Sequence, residues 1–476
     1  MTRYLTTTLP YVNANPHLGH ALEFVQADFL KRVLRSKGEE VFLNIGTDEH
    51  GTKVAQKAEE AHKDPQAYAD EYAANFKAFA DKLDISYDSF IRTTDPHHTQ
   101  AAQEFWKRCE AAGDIYKATY QVKYCVGCEL EKTDSELEHG RCPLHPQQEL
   151  EIREEENYYF RFSKYEKPLL AQYAAHPEFV VPEGRMRELT SFVSGGLKDF
   201  SISRPKAKLS WGVPVPGDPE HVMYVWFDAL TNYISVLGWP EDEENFKKWW
   251  PATQMAGKDN LRQQAAMWQA MLLSAGLPLS AQIFIHGFIT SGGQKMSKSL
   301  GNVIDPMRVA EAYGVDALRY VLLRHMNPFE DSDLTEDSIK EHYTAHLANG
   351  LGNLVARVMK LAEEHLPHPI EITDTDEAVA PEFSEKAEAF RFNEALDLVF
   401  AKVTAADEFM TEKAPYKGIK SGDTVLREKA RDDIEHLVHE LVSIATHLTP
   451  AMPRTGAAIL SAVRKNEKPD NLFPRV

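Results

Sequence analysis

The sequence predicts an α/β fold in which a doubly wound parallel sheet is split by an insert and followed by a helical bundle. Three observations carry this. Short apolar runs at 3–9 and 41–46 flank a stretch of helical periodicity, so the chain opens as strand, helix, strand. The alternation returns across 252–290, where TQMAGKDN, a helical stretch over 261–275 and the apolar run QIFIHGFI follow one another. Beyond residue 345 the pattern changes to amphipathic repeats at 346–365, 384–411 and 424–448, without period-two alternation.

The first helix is read from Leu18, Leu22, Val25, Phe29 and Val33, with Pro16 as its start signal and Gly38 as its stop. The segment between the two alternating halves is rich in charged and turn residues and is read as a separate small module. A length of 476 residues at roughly 150 per domain predicts about three domains. The divisions expected are 1–115 and 216–290 for the two halves of the sheet domain, 116–215 for the insert, 291–345 for a loop and connecting region, and 346–476 for the helical end. No internal repeat or low-complexity tract is visible.

A hydrophobic content of 43% with 26% charged residues is that of an ordinary globular chain, and no run approaches the roughly 18 apolar residues of a membrane span. The N-terminus lacks the apolar core of a secretory signal, so a cytoplasmic location is expected. A formal charge of −19 excludes a general polyanion binder driven by a net positive field, though a local basic strip can still bind nucleic acid.

Residues 9–20, LPYVNANPHLGH, place His17 and His20 at the start of a helix with Gly19 between them. A helix N-terminus favours an anion, and two imidazole donors beside it suit a phosphate whose charge grows in a transition state. Taken alone, the pair reads equally well as two surface histidines. In GGQKMSKSLGN, residues 292–302, Lys295 and Lys298 lie within one turn of each other beside the hydroxyls of Ser297 and Ser299, a mobile clamp for a polyphosphate.

Of the four cysteines, Cys125, Cys128 and Cys142 crowd together, which in a cytosolic chain favours metal over disulfide. Cys125 and Cys128 form a C-x2-C knuckle, and Cys142 with His145 a C-x2-H knuckle. Together they supply three thiolates and one imidazole to a tetrahedral Zn2+ site with no open position, hence a structural one.

HLGH together with KMSKS resembles the signature pair of class I aminoacyl-tRNA synthetases, whose Rossmann-type domain activates an amino acid with ATP. The strings GTDEHG (46–51), SISR (201–204), WGVPVPGD (211–218), YVWFDAL (224–230) and MAGKDN (255–260) extend the resemblance over nearly the whole chain and are similar to the methionyl-tRNA synthetase family. The resemblance implies that His17 and His20 stabilise the α-phosphate of ATP and that Lys295 and Lys298 hold the departing pyrophosphate. It implies Lys258 and Asp259 on the nucleotide side, Arg204 near the phosphates, and Asp48 as acceptor for the substrate's α-amino group. A bare reading leaves Asp48 open to the role of a helix cap.

Trp226, Ala229, Leu230 and Tyr233 share one face if WFDALTNY is helical, and the resemblance makes that face, closed by Leu9 and Tyr11, the wall of a thioether pocket. One departure occurs after GKD, where the family's aromatic residue and following His or Gln are here Gln263 and Gln264. A buried amide must find partners or cost roughly 1–3 kcal/mol. In the helical end, Asn353 and Arg357 fall at i and i+4 on the exposed face of a stripe formed by Leu351, Leu354, Val355, Val358 and Leu361. The resemblance assigns both to the anticodon and makes Tyr416, in KAPYKG, the counterpart of a stacking tryptophan.

The expected reaction is therefore activation of methionine by ATP, with Mg2+ accompanying the nucleotide, and transfer to tRNA(Met) by a monomer. A different specificity within the class, or a tRNA-binding protein without catalysis on the same scaffold, are the alternatives. The presence of both phosphate clusters disfavours the latter.

Overall fold

The computed structural model describes every residue except 126–129, 133–136, 139, 144, 297–301, 374–377 and 476. Its centre is a six-stranded, all-parallel sheet ordered Ser89–Arg92, Glu40–Thr47, Thr2–Thr7, Ala252–Gly257, Gln282–His286, Val180–Val181. On one side of Thr2–Thr7 lie Glu40–Thr47 and Ser89–Arg92, and on the other Ala252–Gly257, Gln282–His286 and the edge strand Val180–Val181. The strand order therefore reverses between Thr2–Thr7 and Ala252–Gly257, which leaves a crevice at their carboxyl ends. The split, doubly wound sheet is the one the sequence predicts. Its sixth strand, Val180–Val181, comes from within 116–215 and at two residues is too short to leave a periodic signal.

Helix Leu18–Ser36 packs on the sheet with Phe24, Val25 and Val33 nearly inaccessible to solvent, and its buried Phe29 meets Phe383 and Phe392 of the helical end edge-on. The insert contributes an antiparallel sheet ordered Leu130–Lys132, Ile115–Cys125, Glu151–Phe160, Phe200–Ser201. Among the described residues the C-terminal part carries helices and no strand, with long helices Asn353–His365, Phe392–Lys413 and Thr424–Leu448. One departure from regular geometry precedes them: Tyr343–Gly352 is π-helical.

A fully buried guanidinium joins the sheet to the helical end. Arg319 donates to Asp28 Oδ2 at 2.7 Å, to the carbonyl of Leu83, and to the carbonyls of Pro450 and Ala451. Its donors are met from both sides, so the charge is compensated where it would otherwise be costly. Among the described residues no helix is long and apolar enough to cross a membrane.

Candidate active site

A cavity of about 440 Å³ opens at the carboxyl ends of the two central strands, within the range of roughly 300–1,000 Å³ common for small-molecule sites. Every strand that borders it contributes residues at or just past its end: Thr8 to Tyr11, Asp48, Gly257 with Asp259 and Asn260, and His286.

His17 and His20 line this cavity, and their own helix fixes their protonation. His17 is the N-cap of Leu18–Ser36, its Nδ1 accepting the Gly19 N–H at 3.1 Å, while His20 Nδ1 accepts the His17 N–H at 3.2 Å. The two rings stack with centroids 3.7 Å apart. Burial lowers the pKa of both, that of His20 further because His17 lies against it. Neutral rings whose Nδ1 atoms accept backbone protons must carry their own protons on Nε2, so both present an Nε2–H donor. Gly19 is required for a reason the sequence did not reveal. A Cβ there would stand 3.0 Å from His17 Cε1, so the absent side chain makes room for the imidazole.

The string Asp48-Glu49-His50 divides its three ionisable groups. Glu49 receives a two-point contact from Arg92, at 2.7 and 2.8 Å, and His50 Nδ1 lies 2.6 Å from Asp228 Oδ2. Asp48 is buried, its Oδ1 has no hydrogen-bond partner among the described residues, and it faces the cavity. Burial, then the nearby Asp228, raise its pKa well above the usual carboxylate range. It caps no helix: the next one, Thr52–Glu60, begins after Gly51. A substrate ammonium would supply the charge this carboxylate lacks.

Asp228 is fully buried, and burial pushes its carboxyl up. His50 and His98, the latter at 2.8 Å, more than reverse this and bring it down to about 2. This places an ionised carboxylate on the buried side of helix Val225–Leu230, which with Asn232–Ser235 brings Trp226, Ala229, Leu230 and Tyr233 together on the cavity wall. Leu9 and Tyr11 close the wall from the first strand, the Tyr11 ring meeting Trp226 edge-on at 6.3 Å.

The Gln263–Gln264 pair resolves unequally. Gln264 Nε2 donates to Tyr233 Oη at 2.7 Å, and Gln264 Oε1 accepts from Gln254 Nε2 at 3.0 Å, so both ends of this amide are partnered. Gln263 lines the same cavity with a buried Oε1 that has no partner among the described residues.

Several lining residues escaped the sequence reading. His286 Nε2 lies 3.0 Å from Glu23 Oε2, and its Nδ1 lies 2.8 Å from the Gly287 carbonyl. Both partners only accept, so both ring nitrogens carry protons. Burial alone would lower the His286 pKa, but Glu23 and the Gly287 carbonyl raise it instead. Lys53 is a second cation on the rim, 5.8 Å from the Tyr11 ring. Only a GKD-like string or a histidine beside a glycine marks this region in sequence. The Glu23 contact joins residues 263 apart and leaves no local signal.

Asp259 lines the cavity, whereas Lys258 turns to Asp331 at 2.6 Å and Arg204 lies over the Tyr224 ring while bonding Ser201 and Ser203. The loop of residues 292–302 starts as a hairpin: Ile289–Ser291 pairs with Gln294–Lys295 across Gly292 and Gly293, both at positive φ. The two glycines thus build a tight turn. Asp333 anchors it by accepting from Gly293 N–H and Thr290 Oγ1. Lys295 ends that hairpin; Ser297 and Lys298 lie outside the described residues.

In the insert, Cys125, Cys142 and His145 bring one ligand atom each to within 4.8 Å of one another, with both cysteines buried. Two sulfurs and an imidazole nitrogen form a donor set suited to a soft or borderline metal ion. Cys128 lies outside the described residues. In the helical end Asn353 and Arg357 are exposed on one face, as the spacing predicts, with Arg357 paired to Asp407 at 2.7 Å. Tyr416 is exposed on the short helix Pro415–Gly418.

A parallel sheet with a histidine pair at its switch point and an amino-acid-sized pocket beside it is the arrangement expected of a class I aminoacyl-tRNA synthetase. A family model described as "tRNA synthetases class I (M)" matches residues 3–150 and 136–359. Methionine–tRNA ligase of Thermosynechococcus vestitus is 42% identical over 96% of this chain and 88% of its own, and that of Mycobacterium leprae is 41% identical over 98% and 89%. Methionyl-tRNA synthetase of Mycobacterium tuberculosis bound to methionyl-adenylate superposes with a TM-score of 0.88 at 37% identity, over 100% of this chain and 99% of that one. The chain belongs to the methionine–tRNA ligases, enzymes that attach methionine to tRNA.

Proposed function

We propose that this chain joins methionine and ATP into methionyl-adenylate, releases pyrophosphate, and passes the methionyl group to the 3' end of tRNA(Met). One observation carries the assignment of roles: a buried carboxylate with one oxygen left without a partner among the described residues, an aromatic-walled pocket and two Nε2–H donors share one cavity. Asp48 receives the α-ammonium and is thereby held ionised. Leu9, Tyr11, Trp226, Ala229, Leu230 and Tyr233 enclose the thioether, with Gln264 orienting Tyr233 and Gln263 at the margin.

A carboxylate oxygen of methionine then attacks the α-phosphorus as the bond to pyrophosphate breaks. His17 and His20 donate to the α-phosphate oxygens, whose negative charge grows in that step. Lys295 and Lys298, with the Ser297 hydroxyl, hold the leaving pyrophosphate, and Gly19, Lys258, Asp259 and Arg204 serve the nucleotide. Mg2+, when bound with ATP, neutralises phosphate charge. In the second step the terminal ribose hydroxyl of tRNA attacks the methionyl carbonyl, and AMP leaves.

Cys125, Cys128, Cys142 and His145 would hold a structural Zn2+ that cross-links the insert. Asn353, Arg357 and Tyr416 would read and stack the unpaired anticodon bases. The enzyme works as a cytoplasmic monomer in this reading; a native mass of twice the chain mass by light scattering would refute the monomer.

ATP–pyrophosphate exchange without tRNA, run over all twenty amino acids with norleucine and ethionine, tests the reaction. Exchange confined to methionine and its near isosteres is the expected result. Preference for another amino acid would overturn the substrate, and no exchange with intact ATP binding would overturn the activity.

A further inference from the structure

A second histidine cluster lies away from the cavity. His325 follows helix Val315–Arg324, His342 ends helix Glu336–His342, and His346 stands one turn on, in the π-helical stretch. The His325 and His342 rings stack at 3.6 Å and 7°, and His346 lies within 6 Å of both. One nitrogen from each imidazole comes within 4.8 Å of the others, and all three side chains are partly open to solvent.

We propose that His325, His342 and His346 form a binding site for a divalent transition metal of the zinc type, pinning the last helix of the sheet half to the entrance of the helical end. Three imidazoles supply borderline nitrogen donors and leave a fourth position for water. Tyr320 orients two of the rings, its hydroxyl lying 2.8 Å from His346 Nδ1 and 3.0 Å from His325 Nε2, in the manner of an outer-shell group. His342 makes no hydrogen bond among the described residues, so nothing commits its lone pair. Burial holds all three imidazoles below their ordinary pKa, so each keeps an unprotonated nitrogen at neutral pH.

The surrounding charges are mixed. Arg324, bonded to Tyr320 and Asp397, opposes a cation, while Glu341 and Asp397 act in its favour. To meet one ion at about 2.0–2.1 Å, the rings must tilt out of their stack so that three nitrogens converge.

Metal content tests this on the full chain. Protein stripped with EDTA is equilibrated with Zn2+ alone and desalted, and zinc per chain is compared among the wild type, His342→Asn and His346→Asn. The expected result is one zinc fewer per chain in each variant, with unchanged ATP–pyrophosphate exchange and a smaller zinc-induced rise in melting temperature. Equal zinc in folded variants and wild type would overturn the site. Should a variant not fold, the imidazole resonances of the wild type decide. Movement of all three on zinc addition supports the site, and unmoved resonances overturn it.

Discussion

Two stacks of imidazoles, nearly equal in geometry, sit in different parts of this molecule. His17 and His20 stack at 3.7 Å and 17°, His325 and His342 at 3.6 Å and 7°. What separates them is the backbone. At the start of helix Leu18–Ser36, unpaired N–H groups claim both Nδ1 atoms and so force both protons onto Nε2. That leaves a pair of donors fit for anionic oxygen and unfit for metal. In the second cluster no backbone N–H from the described residues makes such a claim, and the Tyr320 hydroxyl, with a single proton, can occupy the lone pair of at most one ring. The chemistry of a histidine pair is set by which nitrogen its surroundings consume, more than by how the rings are arranged.

The widest separation of the two clusters is expected from His20→Ala. It should lower the exchange rate by about 10²–10³-fold, the usual cost of removing one transition-state donor, and leave zinc content unchanged. An effect on KM alone would break the comparison, because the donor would then act in the ground state.

Asp48→Asn follows in size. Losing a charged hydrogen-bond acceptor worth roughly 1.5–3 kcal/mol should raise the KM for methionine about 10- to 100-fold in the exchange assay, with the KM for ATP little changed. Equal shifts in both constants would contradict the assignment of Asp48 to the amino group.

The Asp228 network gives a pH dependence. Its folded pKa of about 2 lies below the ordinary carboxylate value of 3.8, so its contribution is fully present above 3.8 and is lost as pH falls towards 2. The difference corresponds to on the order of 2 kcal/mol. Acid unfolding followed by circular dichroism should therefore show a shallower acid limb in Asp228→Asn, in a protein already less stable at pH 7. His286 works in the opposite sense. Its raised pKa stabilises fully below 6.5 and is lost as pH rises through the folded value.

The smallest effect tests the packing beneath the first stack. Gly19→Ala places a methyl group 3.0 Å from His17 Cε1, so the ring must shift by a few tenths of an ångström. A loss of about 1 kcal/mol in stability, read by thermal melting, should accompany a larger loss in exchange rate. A normal rate would show that the position of His17 is not demanding.

Much of the site was legible because its chemistry is local. A histidine pair at a helix start and a helical face of Trp226, Ala229, Leu230 and Tyr233 each depend on residues a few positions apart, and spacing reports them. The strand and helix order was legible for the same reason, and with it the class of fold. Tertiary structure alone decided which of Asp48, Glu49 and His50 would face the cavity with a polar atom left over, that Gln264 would be satisfied by Gln254 and Tyr233, that His286 would be a cation against Glu23, and that His325 would meet His342 and His346. The physical reason is that protonation and hydrogen-bond satisfaction depend on burial and on partners distant in sequence, and periodicity along a chain carries no record of either.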